Sequence, residues 1–149
     1  MAQKKITAHD LGIDLTSEQE SEYFKWFLAC LLFGKPIQQE VAKRAYLALL
    51  DAGITTPDAS LQAGWDKLVA MLDSAHYVRY DFSTATKLLD VARSLKEQYG
   101  TLTELLRQSH AAEEAATRLQ AFKGIGPKTA AIFLRDLAPL LYQNSYEHQ

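Results

Sequence analysis

The sequence predicts an all-α fold, a compact multi-helix domain, and three observations carry that prediction. Apolar residues recur at i, i+3, i+4 and i+7 through most segments, the repeat of a helix with one buried face. Helix stops and starts fall between those segments: Gly34 with Pro36, Gly53 with Thr56-Pro57, Gly100 with Thr101, and Pro127. Only His76-Tyr77-Val78-Arg79-Tyr80-Asp81-Phe82 could pass for a strand, and with no partner strand elsewhere it reads as a loop or helix junction.

Residues 1–16 read as a mobile lead-in. Ser17 with Glu20 three residues on forms a capping-box pattern that opens a helix over about 18–33. Tyr23, Phe24, Trp26, Phe27, Leu28, Leu31 and Leu32 make that helix apolar nearly all round, so it belongs at the centre. Pro36 starts a second helix, with Val41, Ala45, Leu49 and Leu50 on one face and Gly53 as its stop. Thr56-Pro57-Asp58 caps a short helix, after which Trp65, Leu68, Val69 and Leu72 mark an amphipathic one. A long helix follows over about 83–99, with Ala85, Leu88, Ala92 and Leu95 inward. Thr101 and Glu104 open a fifth segment, residues 112–121 form another, and the last runs from Lys128 to about Leu137, where Pro139 limits it. From residue 138 onward the chain reads as a mobile tail. The count is seven or eight helices in one domain.

With 149 residues, 48% apolar and 23% charged, the chain can bury a full core unaided. The longest apolar stretch is too short to cross a bilayer, and residues 1–5 lack the apolar core of a signal peptide. The expectation is a cytoplasmic protein, or a nuclear one in a eukaryote, with no membrane partner. Cys30 is alone, which excludes a disulfide framework or a thiolate cluster within one chain. His9, His76, His110 and His148 show no metal-ligand spacing, so no metal is expected. A net charge of −2 argues against bulk attraction to nucleic acid. One stretch departs from it: from residue 118 to 136, Arg118, Lys123, Lys128 and Arg135 stand against a single acid, Asp136.

That stretch contains Phe122-Lys123-Gly124-Ile125-Gly126-Pro127-Lys128-Thr129-Ala130, between Leu119 and Ile132-Phe133-Leu134. Gly124 and Gly126 allow two helices to join in a short turn. Ile125 plugs the turn into the core, and Pro127 suits the first helical position. The free N–H groups that open the second helix, with Lys123, Lys128 and Thr129 beside them, can then meet a phosphate. A Gly126→Arg change is expected to disrupt such a turn and to reduce duplex binding.

This pattern resembles the helix-hairpin-helix motif, and more narrowly the hairpin of the helix-hairpin-helix (HhH-GPD) DNA glycosylase superfamily, the endonuclease III-like enzymes. Lys128 holds the place of that hairpin's lysine. The resemblance extends over about residues 23–137. Leu31-Leu32-Phe33-Gly34-Lys35 is similar to the family's first helix and turn, and Tyr80-Asp81-Phe82-Ser83-Thr84-Ala85 to its junction before a long helix. The family often fills the space left by an extruded base with a glutamine; Lys35 stands there, either as a phosphate contact or as a solvated loop lysine. The resemblance implies duplex DNA as partner and a monovalent cation at the hairpin. Many relatives carry an iron–sulfur cluster, which this chain lacks the cysteines to hold.

In members with lyase activity a lysine amine attacks the sugar C1′ of an extruded nucleotide. Lys128 is the candidate, at the positive end of a helix dipole, as that nucleophile or as a plain phosphate contact. The family's aspartate would fall at Tyr146. Glu147, one residue later, is its nearest substitute, while Asp136 lies about 12 Å from Lys128 along the helix. Arg79 with Tyr77 and Tyr80 can grip a strand or form a polar junction; Trp26 and Trp65 sit at core positions. Three functions follow: a compact base-excision enzyme, a DNA-binding module without chemistry, or a structural domain whose hairpin binds nothing.

Overall fold

The computed structural model describes residues 5–142, and among them every regular element is helical. Seven α-helices follow in order: α1 (Glu20–Phe33), α2 (Gln39–Asp51), α3 (Pro57–Ser74), α4 (Asp81–Gln98), α5 (Leu102–Gln108), α6 (Ala112–Gln120) and α7 (Pro127–Leu141). Short 3₁₀ turns occupy His9–Leu11, Leu15–Ser17 and Val78–Tyr80. The all-α expectation holds, and residues 76–82 form a helix junction, with the Val78–Tyr80 turn leading directly into α4.

Helix α1 is the axis of the molecule, as its apolar sequence requires. Nine of its residues are buried, from Tyr23 to Leu32, and it packs against α2, α4, α5 and α7. Phe27 meets Phe133 of α7 edge to face, with ring centroids 5.5 Å apart, and Trp26 donates its indole N–H to Phe133 O at 3.1 Å. Burial of one aromatic side chain of this size stabilises by about 1.5–3 kcal/mol. Helix α3 begins at its Thr56 cap, whose hydroxyl accepts from Ala59 N. It breaks at Gly64 (φ 80°), just before Trp65, where the sequence separates a short helix from an amphipathic one.

Four local expectations need correcting. The Ser17–Glu20 capping box does not form. Glu20 instead reaches across to α5, accepting from Leu102 N and Thr103 N at 2.8 Å each and from Thr103 Oγ1 at 2.7 Å. A carboxylate that satisfies two free N–H groups of a neighbouring helix gains more than one capping its own first turn. Helix α2 starts at Gln39 rather than Pro36, because Ile37 N donates to Lys35 O in a three-residue turn centred on the proline. Pro139 does not end α7, which continues to Leu141. Only Leu140 and Leu141 follow it in the helix, and buried Leu137 and Tyr142 on either side hold that end against the body. Residues 138–142 of the expected tail therefore belong to the folded body, with the Tyr142 hydroxyl donating to Leu106 O at 3.1 Å.

The lead-in is packed as well: Ala8, Ile13 and Leu15 are buried. Two residues of α7 hold it. Asp136 accepts from Ala8 N at 2.8 Å, and Arg135 donates to Ile6 O at 2.6 Å while pairing with Asp136 at 2.9 Å. No described helix is long and apolar enough to cross a membrane.

Candidate nucleic-acid interface

Helices α6 and α7 are joined by a hairpin whose two glycines play different parts. Gly124 adopts φ 88°, the left-handed region that glycine alone enters freely, and reverses the chain after α6. Phe122 and Ile125 are both buried, and Ile125 N donates to Phe122 O at 3.1 Å, closing the turn over its apolar plug. Gly126 is extended (φ −96°, ψ −179°) and is the N-cap of α7. A Cβ placed there meets nothing within 4 Å. Any residue can adopt that backbone, so substitution at Gly126 leaves the turn intact and alters only what can approach it. The expectation that an arginine at Gly126 disrupts the turn is thus corrected; the turn depends on Gly124 instead. Pro127 opens α7 at its first position.

Beside this turn lies a cleft of about 240 Å³, lined by Leu31, Gly34, Lys35 and Lys87 and, from the hairpin, by Gly124 and the four residues 126–129. Two close approaches build it. The turn after α1 lies so near α7 that a Cβ on Gly34 would sit 2.6 Å from Thr129 Oγ1. Helix α4 lies so near the hairpin that a Cβ on Gly124 would sit 2.9 Å from Lys87 Cγ. The two glycines therefore let Lys35 and Lys87 converge on the start of α7, where Lys128 lies. Tyr77 fixes the α1 end of the arrangement, its buried hydroxyl donating to Leu32 O at 2.7 Å.

No carboxylate is among the residues lining this cleft. A second hollow of about 510 Å³ adjoins it, sharing Lys35 and Lys128 and adding Lys5, Arg135 and Gln39 among apolar walls of Trp26, Phe33 and Ile132. Both hollows are cationic on a chain that is acidic as a whole. The Lys87 ammonium beside Lys35, reinforced by partial burial, pulls the Lys35 amine down to about 8.

The residues singled out in the sequence are distributed unevenly. Gly124, Gly126, Lys128, Thr129 and Lys35 all line the small cleft. Ile125 is buried beneath it, and Lys123 is exposed on the turn outside it. Arg79 is exposed, with its guanidinium 5.5 Å from the Tyr80 ring, and Lys35 Nζ lies 5.3 Å from the same ring. Tyr80 thus links Arg79 to the cleft. Asp136 is committed to Arg135 and Ala8 rather than to the hairpin. Glu147 lies outside the described residues. Among the described residues no group of three or more His, Cys, Asp or Glu is placed to hold a metal. Lys87 is the residue that sequence reasoning missed; it sits in mid-helix with no local signal, and only the fold brings it to Gly124.

Residues 89–131 match the family model described as a SAM-like helix-hairpin-helix tandem. No curated protein matches the chain. The matched stretch holds three joints between helices, the middle one between α5 and α6. The last is the α6–α7 hairpin. The first joins α4 to α5 through Gly100 (φ 84°), whose N–H donates to Leu95 O at 2.8 Å. The sequence carries a helix-hairpin-helix motif.

Proposed function

We propose that this protein binds DNA, with the α6–α7 hairpin seated on the phosphate backbone. One observation carries the reading: the bare backbone of Gly126 and the first turn of α7 open into a cleft whose lining includes three lysines and no carboxylate. A helix N-terminus and ammonium groups are both suited to an anion, and phosphate contacts give affinity without reading sequence. Duplex DNA is the partner this reading names, since the hairpin supplies a compact phosphate contact rather than a row of stacking aromatics.

The test is fluorescence anisotropy with a labelled duplex over a salt series, comparing wild type with Gly126→Leu. The open surface at Gly126 accommodates the leucine without strain, while its side chain blocks a phosphate from the backbone. Affinity at least tenfold lower with an unchanged melting temperature supports the reading. Equal affinity for the two proteins rejects it.

The finer reading is a glycosylase-like enzyme of the HhH-GPD kind, supported by helix order and by Lys128, which is exposed in the first turn of α7 and lines both hollows. In that reading Lys128 is the amine that attacks an abasic sugar, and a monovalent cation sits at the hairpin. Borohydride trapping on an abasic duplex tests it. An adduct lost in Lys128→Ala identifies the nucleophile, and absence of any adduct leaves a DNA-binding module without chemistry.

A further inference from the structure

We propose that Lys35 and Lys87 form a second cationic contact fused to the hairpin's, so that α1, α4 and α7 together enclose one phosphate group of the bound strand. The inference rests on the DNA-binding reading above. It joins Lys87 to Lys35 at a single phosphate, and adds a dependence on pH.

The geometry carries it. Lys35 follows Gly34, the glycine that lets the α1–α2 turn press against Thr129, and the Lys87 side chain runs along the face of Gly124. Both lysines are only partly exposed, in a cleft of about 240 Å³, a volume suited to one small anion rather than to a nucleobase pair. Like charges brought together without an acid oppose folding. Such an arrangement is explained by a ligand that supplies the missing negative charge. The charged and titratable groups facing Lys35 from its surroundings are Lys87 on α4, Lys128 and Arg135 on α7, Lys5 from the lead-in, and Tyr80. All but the tyrosine are cations. Arg135 is already paired with Asp136, so Lys35, Lys87 and Lys128 are left to share the anion.

The depressed amine of Lys35 follows from the same crowding. A bound phosphate stabilises its charged form, so binding takes up a proton near pH 8 and weakens as pH rises beyond it. The phosphate has two sources, an internal diester or the terminal phosphate of a strand, and the shared chemistry is what the lysines recognise.

The experiment compares wild type, Lys35→Gln, Lys87→Gln and the double variant. Affinity for a labelled duplex is measured against salt at pH 7 and pH 9, with duplex ends either phosphorylated or hydroxyl-terminated. Because both lysines hold one phosphate, the double variant should lose about one unit of the log–log salt slope, and each single variant most of that. Wild type should bind more weakly at pH 9 than at pH 7, and Lys35→Gln should be nearly flat. A preference for phosphorylated ends assigns the site to a strand terminus, and equal affinity assigns it to an internal diester; both support it. An unchanged salt slope and pH profile in the double variant, with Gly126→Leu still impaired, overturns the inference and leaves the hairpin reading standing. A separate arm needs no DNA: inorganic phosphate should raise the melting temperature of wild type above that in chloride of equal ionic strength. Failure to do so, or an equal rise in the double variant, counts against the pair as a phosphate site.

Discussion

Gly124 and Gly126 look interchangeable in the sequence and are not. Gly124 is held at φ 88° with the Lys87 side chain across its face, whereas Gly126 is extended in open space. Gly124→Ala should cost about 1–2 kcal/mol for the left-handed backbone alone, with a further penalty for displacing Lys87. Gly126→Ala should stay within about 0.5 kcal/mol of wild type. Urea unfolding of the two variants checks the contrast, and equal losses would mean that the turn strains both positions alike. At this scale the sequence was legible where chemistry depends on neighbours along the chain. The Gly124-Ile125-Gly126-Pro127 turn, the buried plug and the placement of Lys128 could all be read from spacing. Lys87 could not, because nothing within its own helix distinguishes it from any half-exposed lysine. The conformations of the two glycines were equally hidden, since a glycine's φ follows from the path of the turn and not from its identity.

Elements were legible in number and type because helical periodicity is a local property, and the hydroxyl caps at Thr56 and Thr101 form. The Glu104 carboxylate, however, accepts from Arg107 and Gln108 instead of completing a capping box. Boundaries failed where a distant partner competed with a local one. Glu20 is the clearest instance: its capping-box spacing is sound, yet the carboxylate is drawn to α5, which begins beside it in space. This makes Glu20 a clamp between the central helix and the element that leads into the hairpin pair. Glu20→Ala should destabilise the fold by about 1–2 kcal/mol, the scale of a lost cap. Glu20→Gln, which retains one acceptor, should lose less. The urea midpoint should fall with the slope unchanged, since the transition stays cooperative. Hydrogen exchange should also quicken at Leu102 and Thr103 more than in α2. If exchange at α5 matches wild type, the carboxylate is not what holds that helix end.

Across the whole molecule, the buried hydroxyls and thiol oppose the crowded lysines in their response to pH. Lys35 has its amine lowered to about 8 in the folded protein against about 10.5 for an unfolded lysine. Between those values the unfolded chain binds more protons than the native one, so stability rises with pH as the repulsion is relieved. Burial acts with the opposite sign on Cys30, raised well above 9.0, and on Tyr77 and Tyr46, the latter pushed up to about 12 from 10.0. These groups keep their protons in the fold after the unfolded chain has begun to lose them, so stability falls above about pH 9 and more steeply above 10. The two effects together predict a stability maximum on the alkaline side of neutrality, near pH 9. The rise toward it is gentler than about 1.4 kcal/mol per pH unit, the full slope for one proton, because Lys35 is partly solvated. Lys87→Met removes the like charge that depresses Lys35, and should raise stability at pH 7 while flattening the rise between pH 8 and 9. The fall above pH 9 should persist in that variant, because Cys30 and the tyrosines are untouched. Thermal melts from pH 6 to 10.5 read both limbs separately. A wild-type curve that already declines from pH 7.5 would show that Lys35 and Lys87 do not share the cleft as charged neighbours.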